Sequence, residues 1–141
     1  MLGGIEIPFS KGLDGHSDAD ALAHAVMDAL LGACALGDIG ELFPPSDPAY
    51  KDADSMELLR NVVERVRQSG WNVVNLDCVI ICEKPKVLPY RDVIRKSLAL
   101  VLEIPVECIS LKGKTAEGLG SAGKGKAVEV LVTCLVQKII S

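Results

Sequence analysis

The chain has 141 residues and a net charge of −4, with 49% hydrophobic but only 4% aromatic residues. That length suits one domain whose core is built from Val, Ile, Leu and Ala. The acidic balance excludes a general nucleic-acid or membrane-surface binder, and no apolar run approaches the roughly eighteen residues of a membrane span.

The elements follow in chain order. Ile5-Glu6-Ile7-Pro8 reads as a short edge strand stopped by proline. A polar loop runs from Ser10 to Gly15. Asp18 to Gly32 reads as a helix capped by Ser17 or Asp18, with Leu22, Val26, Ala29 and Leu30 on its apolar side. Gly37 to Pro48 is a long irregular connection, of the kind that more often carries function than a short one does. A second helix begins at Asp54 or Ser55. Asp54 and Glu57 are spaced as a capping box, Leu59, Val62, Val63 and Val66 form the stripe, and Gly70 ends it.

Trp71 to Cys82 is β-branched and reads as a strand with Val74, Leu76, Cys78 and Ile80 on one face. Pro85 to Pro89 is a loop feeding a third helix, which Val93, Ile94, Leu98 and Val101 line and Glu103-Ile104-Pro105 stops. Cys108 to Lys112 is a short strand, and Gly113 to Gly125 a glycine-rich loop. Val128, Val130, Val132, Cys134 and Val136 then alternate along a long strand, Lys126 to Ile140. The sum is an α/β fold of the α+β sandwich kind: one mixed, four-stranded-type sheet with helices on one face, ferredoxin-like.

Five cysteines, with no Cys-X-X-Cys pair, lie among apolar residues. They read as buried thiols in a reducing compartment, the cytoplasm or a plastid-like organelle interior. No secretory leader is expected from the first residues.

Two stretches carry chemistry. Gly15-His16-Ser17-Asp18-Ala19-Asp20, followed by His24 and Asp28, holds both histidines of the chain. Asp20, His24 and Asp28 are spaced to share one helix face, and imidazole beside carboxylate is metal-ligand or acid–base chemistry. A capped helix with a polar face explains the same residues. One helix supplies too few groups for a catalytic zinc site, so further ligands are expected from elsewhere. The second stretch, Lys112 to Lys126, sets lysines among glycines between two strands. Glycines let backbone N–H groups approach an anion, lysines add charge, and Thr115 adds a hydroxyl. It is no Walker A loop. Glu117 within it suits an oxygen ligand for Mg²⁺ beside phosphates. A solvated turn is the plainer reading of that loop. Glu83 to Pro89, at a strand end, is a weaker ligand-binding signal. No Gly-X-Ser-X-Gly elbow or cysteine nucleophile is evident.

His16 to Ala25, Asp28 to Gly32, Leu36 to Gly40 and Phe43 to Pro48 together closely resemble 2-C-methyl-D-erythritol 2,4-cyclodiphosphate synthases. Ala53-Asp54-Ser55, Pro85-Lys86 and the loop from Lys112 to Gly125 agree in order and spacing. The resemblance spans nearly the whole chain, residues 1–141, as one domain. It implies conversion of 4-diphosphocytidyl-2-C-methyl-D-erythritol 2-phosphate to the cyclic diphosphate and CMP, in non-mevalonate isoprenoid synthesis. It also implies roles for residues. His24 would bind a zinc-like ion on the β-phosphate. His16 and Ser17 would hold the 2-phosphate, with His16 acting in the transition state. Asp38, Ile39 and Gly40 would meet the methylerythritol, joined by Phe43, Ser46 and Asp47. Cys82, Pro85, Lys86, Val87 and Leu88 would wrap the cytidine. Thr115, with Lys114 and Ala116, would meet the phosphates as the second catalytic group. Glu117 would hold Mg²⁺ or Mn²⁺, Ser121 would line the loop, and Lys124 would supply the basic residue. A homotrimer with sites shared between subunits is implied, its apolar strand faces packed around the axis.

Three departures matter. The family's first strand carries an Asp-X-His pair that completes the metal site, and Met1-Leu2-Gly3-Gly4 matches the family just past it. The expectation is that Met1 is internal, and that a form keeping one ligand of three turns over weakly. Lys114 replaces a hydroxyl residue of many members, and Ser121 an aromatic one. The competing expectations are a non-catalytic trimer binding a nucleotide or isoprenoid diphosphate, and a phosphoesterase that uses bulk water.

Overall fold

The computed structural model describes residues 1–8, 20–44, 46–50, 53–82, 87–115 and 128–140. Four helices, α1 (Ala21–Ala33), α2 (Ile39–Leu42), α3 (Ser55–Gln68) and α4 (Arg91–Leu102), accompany three strands, β1 (Trp71–Ile81), β2 (Ile109–Lys114) and β3 (Glu129–Lys138), among these residues. The strands form one mixed sheet in the order β2-β1-β3. β1 runs parallel to β2, with α4 as the crossover, and antiparallel to β3. The mixed sheet with helices against it is as expected.

Among the described residues, the edge strand expected at Ile5-Glu6-Ile7-Pro8 does not form. Leu2 and Ile5 form only an isolated bridge, because Gly3 and Gly4 turn the backbone at φ +58° and +81°. Leu2 and Ile7 go into the core instead of along a sheet edge. A Cβ on Gly3 would lie 2.9 Å from Ile94 Cγ2, so only glycine fits that turn against α4.

One face of the sheet, with Leu76, Cys78 and Ile80 of β1 and Ile109 and Leu111 of β2, packs on Leu22, Val26 and Leu30 of α1, Leu59 and Val66 of α3, and Ile94 and Leu98 of α4. Val74 was expected on that face and is not. β1 carries a bulge between Val73 and Asn75: Val73 opposes Val136, while Asn75 opposes Leu135. The extra residue hands the core position to Val73, which packs against the buried cluster. Val93, also expected inside, is 51% exposed, and Leu102 is buried in the last turn of α4.

The other face carries Val79 and Ile81 of β1 beside Leu131 and Leu135 of β3, which are 62% and 54% exposed. Lys112 lies on it and reaches Asp77 diagonally across the parallel pair at 3.1 Å. Lys112 is therefore a sheet residue and not part of a phosphate loop. Gly113 and Lys114 were likewise expected in that loop, yet they continue β2 opposite Ile80 and Ile81.

Asp54 caps α3 as expected, accepting from Met56 N–H at 2.8 Å. Glu57 lies 3.6 Å from Arg60. Gly70, at φ +93°, ends the helix and bonds Arg67 O at 2.9 Å. Glu103, at φ +55°, ends α4. The connection from α4 to β2 is held by Arg95, whose guanidinium donates to Ile109 O at 2.7 Å and Val106 O at 2.9 Å. Cys34, Cys78 and Cys82 are buried as expected. Cys108 and Cys134 are only half-buried, because one lies in a surface turn and the other on β3, whose core-facing residues are all part-covered. No helix among the described residues is long and apolar enough to cross a membrane.

Candidate functional site

The site residues fall on two groups of elements. The first is α1 with the turn that follows it. α1 starts later than its propensities indicate: Asp20 is the N-cap, not Ser17 or Asp18. Its carboxylate, 2% exposed, accepts from Gly3 N–H at 2.9 Å, Gly4 N–H at 2.7 Å and Ala23 N–H at 2.9 Å. Helix N-termini attract anions, and here the chain fills that position itself. Asp20 thus faces the chain start and does not share a free polar face with His24. Ser97 Oγ completes the clamp by donating to Gly3 O at 2.6 Å.

His24 sits in the first turn of α1, half-buried, its backbone N–H bonded to Asp20 O at 3.0 Å. Asp28, one turn on, accepts from Ile39 N–H at 3.1 Å. Asp38 caps α2 through Glu41 N–H at 2.9 Å. Gly37, at φ +95°, provides the reversal before it. Asp28 and Asp38 therefore fix the turn holding Asp38, Ile39 and Gly40 against the helix of His24. Phe43 closes the turn from inside, 7% exposed. Ser46 is exposed, and Asp47 Oδ1 accepts from Ala49 N–H at 2.9 Å as a turn opens at Pro48.

The second group lies where β1 and β2 end. Cys82 N–H donates to Lys114 O at 3.0 Å, extending the parallel ladder by one bond. Val87 is buried there. A Cβ on Gly113 would sit 3.7 Å from Val87 Cβ, which is ordinary contact. Tyr90 N–H bonds Val87 O at 2.8 Å, and Leu88 projects outward in that short turn. Lys114 and Thr115 are exposed beside it. Carboxyl ends of parallel strands are where open α/β sheets take ligands. His16, Ser17, Pro85, Lys86, Ala116, Glu117, Ser121 and Lys124 lie outside the described residues.

The structure ties the Asp38–Gly40 turn, through Asp28, to the helix that carries His24, and brings Cys82 to Lys114 and Val87 to Gly113. It does not bring a ligand set to His24: among the described residues, no three His, Cys, Asp or Glu side chains are grouped to hold a metal ion. Asp20 is engaged by its three N–H groups and Asp28 by Ile39. One imidazole is short of the three protein ligands of catalytic zinc, so the described residues alone do not fit that ion. Periodicity gave no sign of the Asp28–Ile39 bond, since it marks Asp28 only as a polar residue beside His24. The one available signal was an acid facing a Gly-Asp-X-Gly turn.

The thiols nearby are not poised as nucleophiles. Burial pushes the Cys34 and Cys134 thiols up, and the neighbouring Cys34 adds to the rise at Cys134. Cys134 Sγ lies 3.4 Å from Ala29 O.

Comparison with known proteins gives a consistent result. The model of the YgbB family matches residues 1–137. The 2-C-methyl-D-erythritol 2,4-cyclodiphosphate synthase of Treponema denticola is 58% identical over 136 residues, 96% of this chain and 84% of that protein. Among solved structures, the bifunctional IspDF protein of Campylobacter jejuni superposes with a TM-score of 0.91 at 37% identity, over 99% of this chain and 38% of that longer one. The Plasmodium falciparum IspF complex with CDP gives 0.83 at 33% identity, over 99% of this chain and 84% of that one.

Proposed function

The chain belongs to the YgbB family, and from that premise we propose how its residues divide the work of one intramolecular phosphoryl transfer. It converts 4-diphosphocytidyl-2-C-methyl-D-erythritol 2-phosphate to 2-C-methyl-D-erythritol 2,4-cyclodiphosphate and CMP, a lyase-type step of isoprenoid biosynthesis. The observation that carries this is the 58% identity maintained across 96% of the chain.

The substrate's 2-phosphate is the nucleophile, its β-phosphorus the electrophile and CMP the leaving group. No protein nucleophile is required, so catalysis consists of folding the substrate back and neutralising charge. His16 and Ser17 hold the 2-phosphate, and His16 donates to it as charge shifts. Asp38, Ile39 and Gly40, with Phe43, Ser46 and Asp47, seat the methylerythritol. The buried Phe43 and the two carboxylate-held amides support a rigid seat there. Cys82, Val87 and Leu88, with Pro85 and Lys86, take the cytidine. The strand-end position of Cys82 and Val87 supports this, as does the binding of CDP by the Plasmodium relative. Lys114, Thr115 and Ala116 meet the diphosphate, with Ser121 and Lys124 further along the loop.

Donors for divalent ions are His24, for a zinc-like ion, and Glu117, for Mg²⁺ or Mn²⁺. Bound there, such ions would polarise the phosphates as Lewis acids. The described residues close no such centre.

The assembly proposed is a homotrimer formed through the open sheet face, each site shared by two neighbours. Exposed Leu131 and Leu135 beside Val79 and Ile81 support it, since an apolar face of this kind is normally covered. Five unbridged thiols support a reducing compartment, cytoplasmic or plastid-like.

The test is CMP release from the named substrate, with Thr115→Ala and His16→Ala alongside. Release by the wild-type chain, with large losses of kcat in both variants, bears the reading out. Unchanged kcat in both removes the assigned roles.

A further inference from the structure

Helix α2 has only four residues, so its amides need partners outside it. Asp38 Oδ1 serves the Glu41 N–H at 2.9 Å. The Ile39 N–H, at the first helical position, goes to Asp28 Oδ1 at 3.1 Å, a residue eleven positions earlier. Asp28 and His24 are four apart on α1 and share a face. One carboxylate thus joins the helix of His24 to the turn of Asp38, Ile39 and Gly40. Asp28 is exposed, so its removal empties no part of the core.

We infer that Asp28 is a positioning residue: by accepting the Ile39 N–H it holds the turn that seats the methylerythritol in register with His24. The inference rests on the function proposed above and deepens it. The role calls for an acceptor oxygen and not for a charge. It acts on one half of the substrate, since the cytidine half sits at the ends of β1 and β2.

Two probes separate these features when titrated calorimetrically into the full chain. CDP lacks the methylerythritol half, and 4-diphosphocytidyl-2-C-methyl-D-erythritol 2-phosphate carries both halves. Asp28→Ala removes the acceptor, whereas Asp28→Asn keeps an amide oxygen. The expected result for Asp28→Ala is about three- to tenfold weaker binding of the full substrate, the value of one lost hydrogen bond, with CDP affinity unchanged. Asp28→Asn is expected to restore substrate affinity to within about twofold. Hydrogen exchange at the Ile39 amide should accelerate in Asp28→Ala and not in Asp28→Asn. Wild-type affinity in Asp28→Ala, an equal loss for CDP, or an Asn variant as weak as the Ala variant overturns the inference alone. A wild-type chain that binds neither probe overturns the functional reading, and the inference with it.

Discussion

The Asp20 carboxylate accepts the Gly4 N–H at 2.7 Å, tying residues sixteen positions apart. With the Gly3 and Ala23 amides on Oδ1, it makes the chain start and the first turn of α1 one unit. Asp20→Ala removes a helix cap and strands two further amides. It should lower stability by about 2–4 kcal/mol in chemical denaturation. Asp20→Asn keeps Oδ1 but sets an NH₂ group against the Gly4 N–H, so its loss should be smaller. Equal stability of all three proteins would show that the clamp contributes nothing.

The bulge in β1 assigns unlike environments to two adjacent valines. Val73→Ala opens space against the core and should cost about 1 kcal/mol, whereas Val74→Ala should stay within about 0.5 kcal/mol. Thermal melts of the two variants check this, and the reverse order would place the bulge elsewhere.

Cys78 titrates against its surroundings. Burial, and secondarily the neighbouring Asp77 carboxylate, push its thiol up from 9.0 to about 12. The folded protein therefore holds this proton more tightly than the unfolded chain does. Its contribution is fully present below pH 9.0 and is lost progressively as pH rises from there to about 12. Urea midpoints should be flat in this term at neutral pH and fall above about pH 9. Cys78 should react with a thiol reagent only on unfolding, after the half-buried Cys108 and Cys134. Native-state labelling of Cys78 ahead of those two would contradict the burial argument.

The open sheet face makes a prediction about assembly. Leu131→Glu and Leu135→Glu place charge where the proposed trimer buries apolar surface. Sedimentation velocity should show a trimer for the wild type and a monomer for the double variant. A monomeric wild type would remove the shared-site proposal.

The helical part of the fold was legible in the sequence because its signals are local. In α3 the cap at Asp54, the stripe of Leu59, Val62, Val63 and Val66, and the stop at Gly70 all lie within one element. Non-local choices were not legible. Ser17, Asp18 and Asp20 have similar capping propensity, and only the distant amides of Gly3 and Gly4 select Asp20. Val73 and Val74 are the same residue type, so nothing in the alternation marks the bulge. Gly113 and Lys114 look like loop residues by composition, but their register with Ile80 and Ile81 makes them strand. In the site, His24 and the Asp38–Gly40 turn could be named from the sequence, while the bond that couples them could not.

The most direct measurement is ³¹P NMR of the purified chain with 4-diphosphocytidyl-2-C-methyl-D-erythritol 2-phosphate and a divalent cation. CMP and the cyclic diphosphate should grow in equal amounts, with no open 2,4-bisphosphate. CMP accompanied by the open 2-C-methyl-D-erythritol 2,4-bisphosphate, the product of attack by bulk water, would contradict the intramolecular transfer.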